Sequence, residues 1–468
     1  MTTRDIAAAL TRRRFLLIAT AAATGTLATA CGTSGPASDP GTSPTSTPTE
    51  PTAAVGPLPS PASSTPSPGP VGAPQPLRGS GSRRAPGTPG AARKALADFG
   101  ADFLREARRL DPTAVNTAIS PYSLFTVLAM ARAGAKGATA RQIDAALHSA
   151  GVEAQGAVIS AVDAGVAAAI AAAEKSAQEG DDPIVINTAN QTWVQNGYPV
   201  HQEYLDALAV QFGVEAVAAD FAGDPEGMRT ALNAWVAQRT NDLIPELFPP
   251  GSIDPSTVVV LVNALYLKAA WPQPLSRVGK ISFVTDAGAR IQPEMMRSAS
   301  PVRGASGDGW TAATIPYRGG GAAMTVLVPD AGRFDAVLTA LDSTLMRQAA
   351  ATRTSVQLTM PLLDLKTIAP AKEIAISLGI EDIFGSADLS GIAGSPGDLV
   401  ASEFLHQAVV KVDEKGTEAA AAAGMAILES SAPMPQLELV VDRPFLFWIS
   451  ESTTGAPLFL GVVTDPSA

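Results

Sequence analysis

The chain has 468 residues, 46% of them hydrophobic and 16% charged, which is enough apolar material for a large core and too little charge for a disordered protein. A formal charge of −11 with no basic patch excludes nucleic acid and anionic membrane as the main partners, because a net acidic surface holds neither. One cysteine, Cys31, rules out an intrachain disulfide and a cysteine-ligated zinc site.

The N-terminus reads as an address. Arg12, Arg13, Arg14, Phe15, Leu16 and Leu17 precede a small, apolar run over 18–30 that ends at Cys31. The run is too short and too rich in Ala and Thr to span a membrane well, while basic residues, a modest apolar stretch and a small-residue site together describe a signal peptide. Residues 1–31 resemble a twin-arginine export signal joined to a bacterial lipoprotein box, with Ala28 where a larger aliphatic residue is usual and Leu27 one place early. This implies an exported protein, secreted or held at the cell surface through a lipid on Cys31. The alternative is an uncleaved anchor helix.

Residues 32–92 are dominated by Pro, Ser, Thr, Gly and Ala, with Asp39, Glu50, Arg78, Arg83 and Arg84 as the only charges. Such a stretch buries too little apolar surface to offset the entropy of ordering it, so it reads as a tether that reaches on the order of 50–150 Å.

Residues 93–468 read as one domain. Leu96, Phe99, Phe103, Leu104 and Ala107 share one helical face, as do Leu124, Val127, Leu128 and Ala131 after Ser120 and Pro121. Asp224 and Pro225 cap a helix with Met228, Leu232, Trp235 and Val236 on its apolar side. Strands are expected at 184–194, 258–268, 325–328, 356–360, 404–412, 437–441, 445–450 and 458–463. The run 258–267 is almost continuously apolar and so predicts a strand covered on both faces. Helices and strands mix without strict alternation, which gives an α+β fold.

The motifs of common enzymes are missing. There is no GxSxG, HExxH, GxxxxGK[ST] or GxGxxG pattern, and the glycines at 319–321 lack the last spacing. Of three histidines, His148 and His201 sit near helix ends and read as surface residues, whereas His406 lies in an apolar strand and reads as a buried structural imidazole. The chain is not expected to be an enzyme, and no metal or organic cofactor is implied.

One segment stands out. Lys411, Val412, Asp413, Glu414, Lys415, Gly416, Thr417 and Glu418 precede five alanines at 419–423, then Gly424, Met425, Ala426, Ile427, Leu428, Glu429, Ser430 and Ser431. The segment separates two strands by far more chain than a hairpin needs, and its first half has no large side chain to anchor it. It is expected to be exposed and easily cut.

The run from Glu414 through Gly416, Thr417, Glu418, Ala419, Ala420 and Ala421 resembles the reactive-loop hinge of inhibitory serpins. Asn116, Ser120, Pro121 and Ser123 are similar to that family's helix beneath the main sheet; Asn263, Lys268 and Trp271 to its central strand and the tryptophan below the loop. Met295 with Met296, Pro316 with Tyr317, Gly379 with Phe384, and Pro444 with Phe445 follow in the family's order. The resemblance implies three β-sheets, eight to nine helices and an exposed reactive loop. It also implies a monomeric suicide inhibitor of serine proteases of elastase, subtilisin or chymotrypsin type, whose cleaved loop enters the main sheet as a new strand. A non-inhibitory binding or carrier protein on the same fold is the alternative.

A strand added to a sheet alternates its side chains between faces. Thr417, Ala419, Ala421, Ala423, Met425 and Ile427 would then face inward and Glu418 outward, with no proline over 416–431 to break the ladder. Family spacing puts the reactive bond between Ser430 and Ser431, fourteen residues past Gly416 and fourteen before Pro444, with cuts after Leu428 or Glu429 as alternatives. The resemblance further implies a hydrogen bond between His406 and Asn263 where the sheet opens, with Ser120 or Ser123 beneath.

Overall fold

A strand that is apolar along its whole length needs cover on both sides, and Thr257–Ala270 has it: every residue from Thr257 to Leu267 is buried. The computed structural model describes residues 13–23, 76–177, 184–351, 354–417 and 435–468. Val259, Leu261 and Leu265 of this strand join the main core, which includes Leu124 and Leu128 of the helix Pro121–Gly134. Val260, Val262 and Tyr266 point the other way, toward Leu232 and Val236 of the helix Pro225–Arg239. Both helices start as the sequence predicts. Ser120 Oγ accepts from the Ser123 N–H at 3.1 Å, and Asp224 Oδ1 accepts from the Gly227 N–H at 2.9 Å.

The main sheet has eight strands. Leu363–Ala369 pairs with Leu399–Val412 at one side, and Thr257–Ala270, Val185–Gln195, Ala216–Ala219 and Pro76–Leu77 follow in order at the other. Between Leu399–Val412 and Thr257–Ala270 lie two further segments, Arg13–Ala23 and the short Gly416–Thr417. A ten-stranded sheet runs Asn116–Ile119, Pro457–Val463, Phe445–Glu451, Ala322–Pro329, Trp310–Pro316, Val302–Gly307, Thr354–Pro361, Glu294–Arg297 and Ser276–Lys280, with Leu437–Val440 beside Thr354–Pro361. Phe283–Val284 and Arg290–Ile291 make a third, two-stranded sheet. Nine α-helices among the described residues complete an α+β fold with three sheets.

Two boundaries differ from the sequence reading. Residues 76–92, assigned to the tether, belong to the folded unit. Pro76–Leu77 adds an edge strand to Ala216–Ala219, and Arg83 and Arg84 pair with Asp163 at 2.7 Å and Glu153 at 3.1 Å. Composition hid these contacts because their partners are distant in sequence. Residues 13–23, read as part of a separate leader or an anchor helix, form a strand whose residues Phe15, Leu16, Leu17, Ile18, Ala19 and Thr20 are fully buried. The gap between the two central strands presents unpaired backbone groups on both sides, and an apolar segment of eleven residues satisfies them.

Candidate functional site: the central slot and its hinge

The slot between Leu399–Val412 and Thr257–Ala270 narrows at its upper end to a turn. Asp413 and Gly416 close it, with the Asp413 N–H donating to the Gly416 carbonyl at 3.0 Å. Asp413 Oδ1 accepts from the Lys415 and Gly416 N–H groups at 2.8 and 3.2 Å. Burial pushes the Asp413 carboxyl above its ordinary range, and the neighbouring Glu414 charge adds to this. Gly416 has φ 150°, and a Cβ there would stand 2.3 Å from the Ala269 carbonyl oxygen, so only glycine fits.

After the turn the chain starts down the slot. Gly416 and Thr417 pair antiparallel with Ala270 and Ala269, and Thr417 also pairs with Val412. Thr417 is fully buried on the inward face, as strand alternation requires. Its Oγ1 lies 2.7 Å from the Tyr317 hydroxyl, and the Tyr317 ring stacks on Trp271 with centroids 4.5 Å apart and planes 7° apart. Trp271 Nε1 donates to the Asp413 carbonyl at 3.1 Å, while its backbone N–H donates to the Lys415 carbonyl at 2.8 Å. The Leu275 N–H donates to Glu414 O, and Arg277 pairs with the Glu414 carboxylate at 3.1 Å. The hinge is therefore seated on an aromatic pair and already counts as a strand.

At mid-slot the expected bond between His406 and Asn263 is not made. Ala19 of the Arg13–Ala23 strand lies opposite both residues and separates them. His406 Nδ1 lies 2.7 Å from the Ala19 carbonyl, and Nε2 accepts the Ser120 N–H at 3.2 Å. A carbonyl only accepts and an amide N–H only donates, so the ring is neutral with its hydrogen on Nδ1. Burial favours that state and pushes the His406 pKa down to about 4. Asn263 Nδ2 instead donates to Asn190 Oδ1 at 2.7 Å, and Asn263 Oδ1 has no partner among the described residues. Ser123 Oγ donates to the Thr20 carbonyl at 3.0 Å. The structure thus brings Ser120 to His406 and Ser123 to the floor of the slot.

The other histidines sit apart on the chain. His148 follows a helix with φ 48° and pairs with Asp102 at 2.7 Å, which raises its pKa; His201 is exposed before the helix Gln202–Ala207. The predicted sites Cys31, Glu418, Ala419, Ala420, Ala421, Leu428, Glu429, Ser430 and Ser431 lie outside the described residues. Tyr317, Asp413 and Asn190 carry contacts that the sequence reading gave no role. Tyr317 was visible as part of a motif, while Asp413 and Asn190 had no signal beyond position.

Together these features define a protein whose main sheet holds an additional strand between its central members, beside a turn whose last two residues, Gly416 and Thr417, pair in the same gap. The family model "Serpin (serine protease inhibitor)" matches residues 94–466, and the chain belongs to the serpin family. It is 33% identical over 365 residues to a "Serine protease inhibitor" of Cyanea capillata, covering 75% of this chain and 93% of that one. It is 32% identical over 369 residues to the "Leukocyte elastase inhibitor" of Bos taurus, covering 75% and 93%. Among solved structures, the thermophilic serpin tengpin in its native state superposes with a TM-score of 0.69 at 24% identity, covering 84% of this chain and 99% of that one. Native protease nexin-1 with heparin gives a TM-score of 0.66 at 26% identity, covering 81% and 100%.

Proposed function

We propose that the protein is an exported, monomeric suicide inhibitor of extracellular serine proteases, held at the cell surface by a lipid on Cys31. The protease serine attacks the Ser430 carbonyl carbon, the Ser431 amine leaves, and an ester joins loop and enzyme. The freed loop then enters the slot before water cleaves the ester, drawing the protease along with it. The observation that carries this reading is the hinge: Gly416 and Thr417 already pair antiparallel with the strands that flank the slot, and Thr417 is buried. Continued in the same register, the strand would put Ala419, Ala421, Ala423, Met425 and Ile427 on the inward face. Met425 and Ile427 would each contribute roughly 1.5–3 kcal/mol if fully covered.

A serine at the acyl position suits a protease with a small pocket, of elastase or subtilisin type, and the bovine relative's printed name supports an elastase-like target. A cut after Leu428 would favour a chymotrypsin-like target instead. A second reading, a non-inhibitory binding protein, draws on a cleft of about 660 Å³ lined in part by Arg93, Thr314, Arg347 and Trp448.

The two readings separate on Ala421→Arg in protein recovered after export, because Thr417 is buried before any cut whereas position 421 would reach the inward face only on insertion. If the loop inserts, a guanidinium must enter a buried site, insertion stalls, and the protease turns the variant over as a substrate with no gel-stable complex. Unchanged complex formation by Ala421→Arg contradicts the proposal. N-terminal sequencing of the released C-terminal fragment fixes the bond.

A further inference from the structure

The strand Arg13–Ala23 lies between the two central strands and runs parallel to both. Ala23 stands opposite Leu267 and Val410, and Phe15 opposite Val259 and Ala401. Its lower end is fixed by charge and backbone: Arg14 pairs with Asp254 at 2.6 Å, the Arg13 guanidinium sits 5.5 Å from the Tyr198 ring centre, and the Arg13 and Arg14 N–H groups donate to the Asp398 and Ser256 carbonyls. Further up, the Ala19 and Thr20 carbonyls meet His406 and Ser123. Phe15, Leu17 and Ala19 join the core beneath the sheet, and Leu16 and Ile18 the apolar layer above it.

The hinge enters the same slot from the opposite end. Thr417 stands opposite Ala269, so two further residues in the same register would bring Ala419 opposite Leu267, where Ala23 already stands. The overlap then continues pair by pair. Ala419, Ala421, Ala423, Met425 and Ile427 would fall on the positions of Ala23, Ala21, Ala19, Leu17 and Phe15, so small residues coincide with small ones and large with large. Read backwards, the inward face of the leader carries the size profile of the loop's inward positions, while on the outward face Ile18 and Leu16 stand where Gly424 and Ala426 would fall.

We infer that the slot is a binding site for an extended apolar segment of about eleven residues, matching the 11-residue strand, that residues 13–23 are its resident ligand in the full-length chain, and that they exclude the reactive loop until they are withdrawn. The second half of this inference rests on the inhibitor reading above; the first half does not. Removal of the leader during export then arms the inhibitor, and the uncleaved precursor leaves proteases inside the cell untouched.

The test uses the full-length chain with Cys31→Ser and Thr20→Cys, a near-isosteric change at a buried hydroxyl that has no partner among the described residues. A soluble maleimide reports access to residue 20. Modification more than 100-fold slower than in the urea-unfolded chain is expected, with fast modification once Leu16→Asp and Ile18→Asp eject the strand. Modification as fast as in the unfolded chain overturns the inference. In parallel, the full-length chain with its natural leader is expected to be cut by a subtilisin- or elastase-like protease without a gel-stable complex, whereas the Leu16→Asp/Ile18→Asp chain forms one. Equal complex formation by both overturns the exclusion. Slow maleimide modification with no complex from either chain supports the leader as the slot's ligand and counts against the inhibitor reading alone.

Discussion

Among the contacts that hold the hinge, one buried hydroxyl pair can be removed one oxygen at a time, which makes its energetics separable. Tyr317 and Thr417 are both fully buried, their oxygens are 2.7 Å apart, and burial holds the Tyr317 pKa above its ordinary value. Thr417→Val keeps the shape of the side chain but leaves the Tyr317 hydroxyl without a partner, which costs about 1–3 kcal/mol. Tyr317→Phe strands the threonine hydroxyl at a similar cost of about 1–3 kcal/mol, while the stack on Trp271 survives. Removing both hydroxyls leaves nothing stranded, so the double variant should lose no more than about 1 kcal/mol. The free energy of the first urea-induced transition, measured for all four proteins, gives the coupling. Costs that simply add would mean that the hydroxyls do not pair and that the hinge is held in some other way.

His406 should make the fold acid-sensitive. Its pKa is near 4 when folded against an ordinary 6.5, so above about pH 7 both states are neutral and the group contributes nothing. As pH falls from 7 toward 4 the unfolded chain takes up a proton that the folded chain refuses, and stability drops by about 2.5 kcal/mol at pH 4.5. Urea unfolding of the full-length chain, which keeps Ala19 against His406, should show that loss between pH 7.5 and 4.5 and a smaller one in full-length His406→Gln; equal losses would contradict the buried neutral imidazole. Gly416→Ala should unseat the hinge, because a Cβ 2.3 Å from the Ala269 carbonyl forces the turn away. Hydrogen exchange at the Thr417 amide should then accelerate by at least tenfold, and unchanged protection would show that the turn relaxes without moving the hinge.

Elements with a strong local signal were legible in the sequence. The apolar run at 258–267 and the faces of Leu96 through Ala107 and Met228 through Val236 each name their own buried side, and Asp224 with Pro225 marks a helix start by capping chemistry alone. The burial of Thr417 follows from strand alternation once Gly416 is taken as the entry point. What was not legible depends on partners far away in the chain. Nothing local in Arg13, Arg14 and Phe15 through Ala23 distinguishes a strand from a leader, since the pattern that seats it is the matching width of a gap formed by residues 257–270 and 399–412. The missing bond between His406 and Asn263 has the same origin, because Ala19 stands between them. Arg83 and Arg84 looked like stray charges in a tether until Asp163, Glu153 and Gln211 appeared beside them.

The claim on which the account turns is that the main sheet gains a strand once the loop is cut. The direct measurement is the melting temperature of protein lacking residues 1–31, before and after a non-target protease nicks the chain within residues 418–434. Insertion predicts a higher melting temperature for the nicked form, with both fragments still associated. A melting temperature that stays the same or falls would mean the slot does not take the loop, and the trapping mechanism would have no driving force.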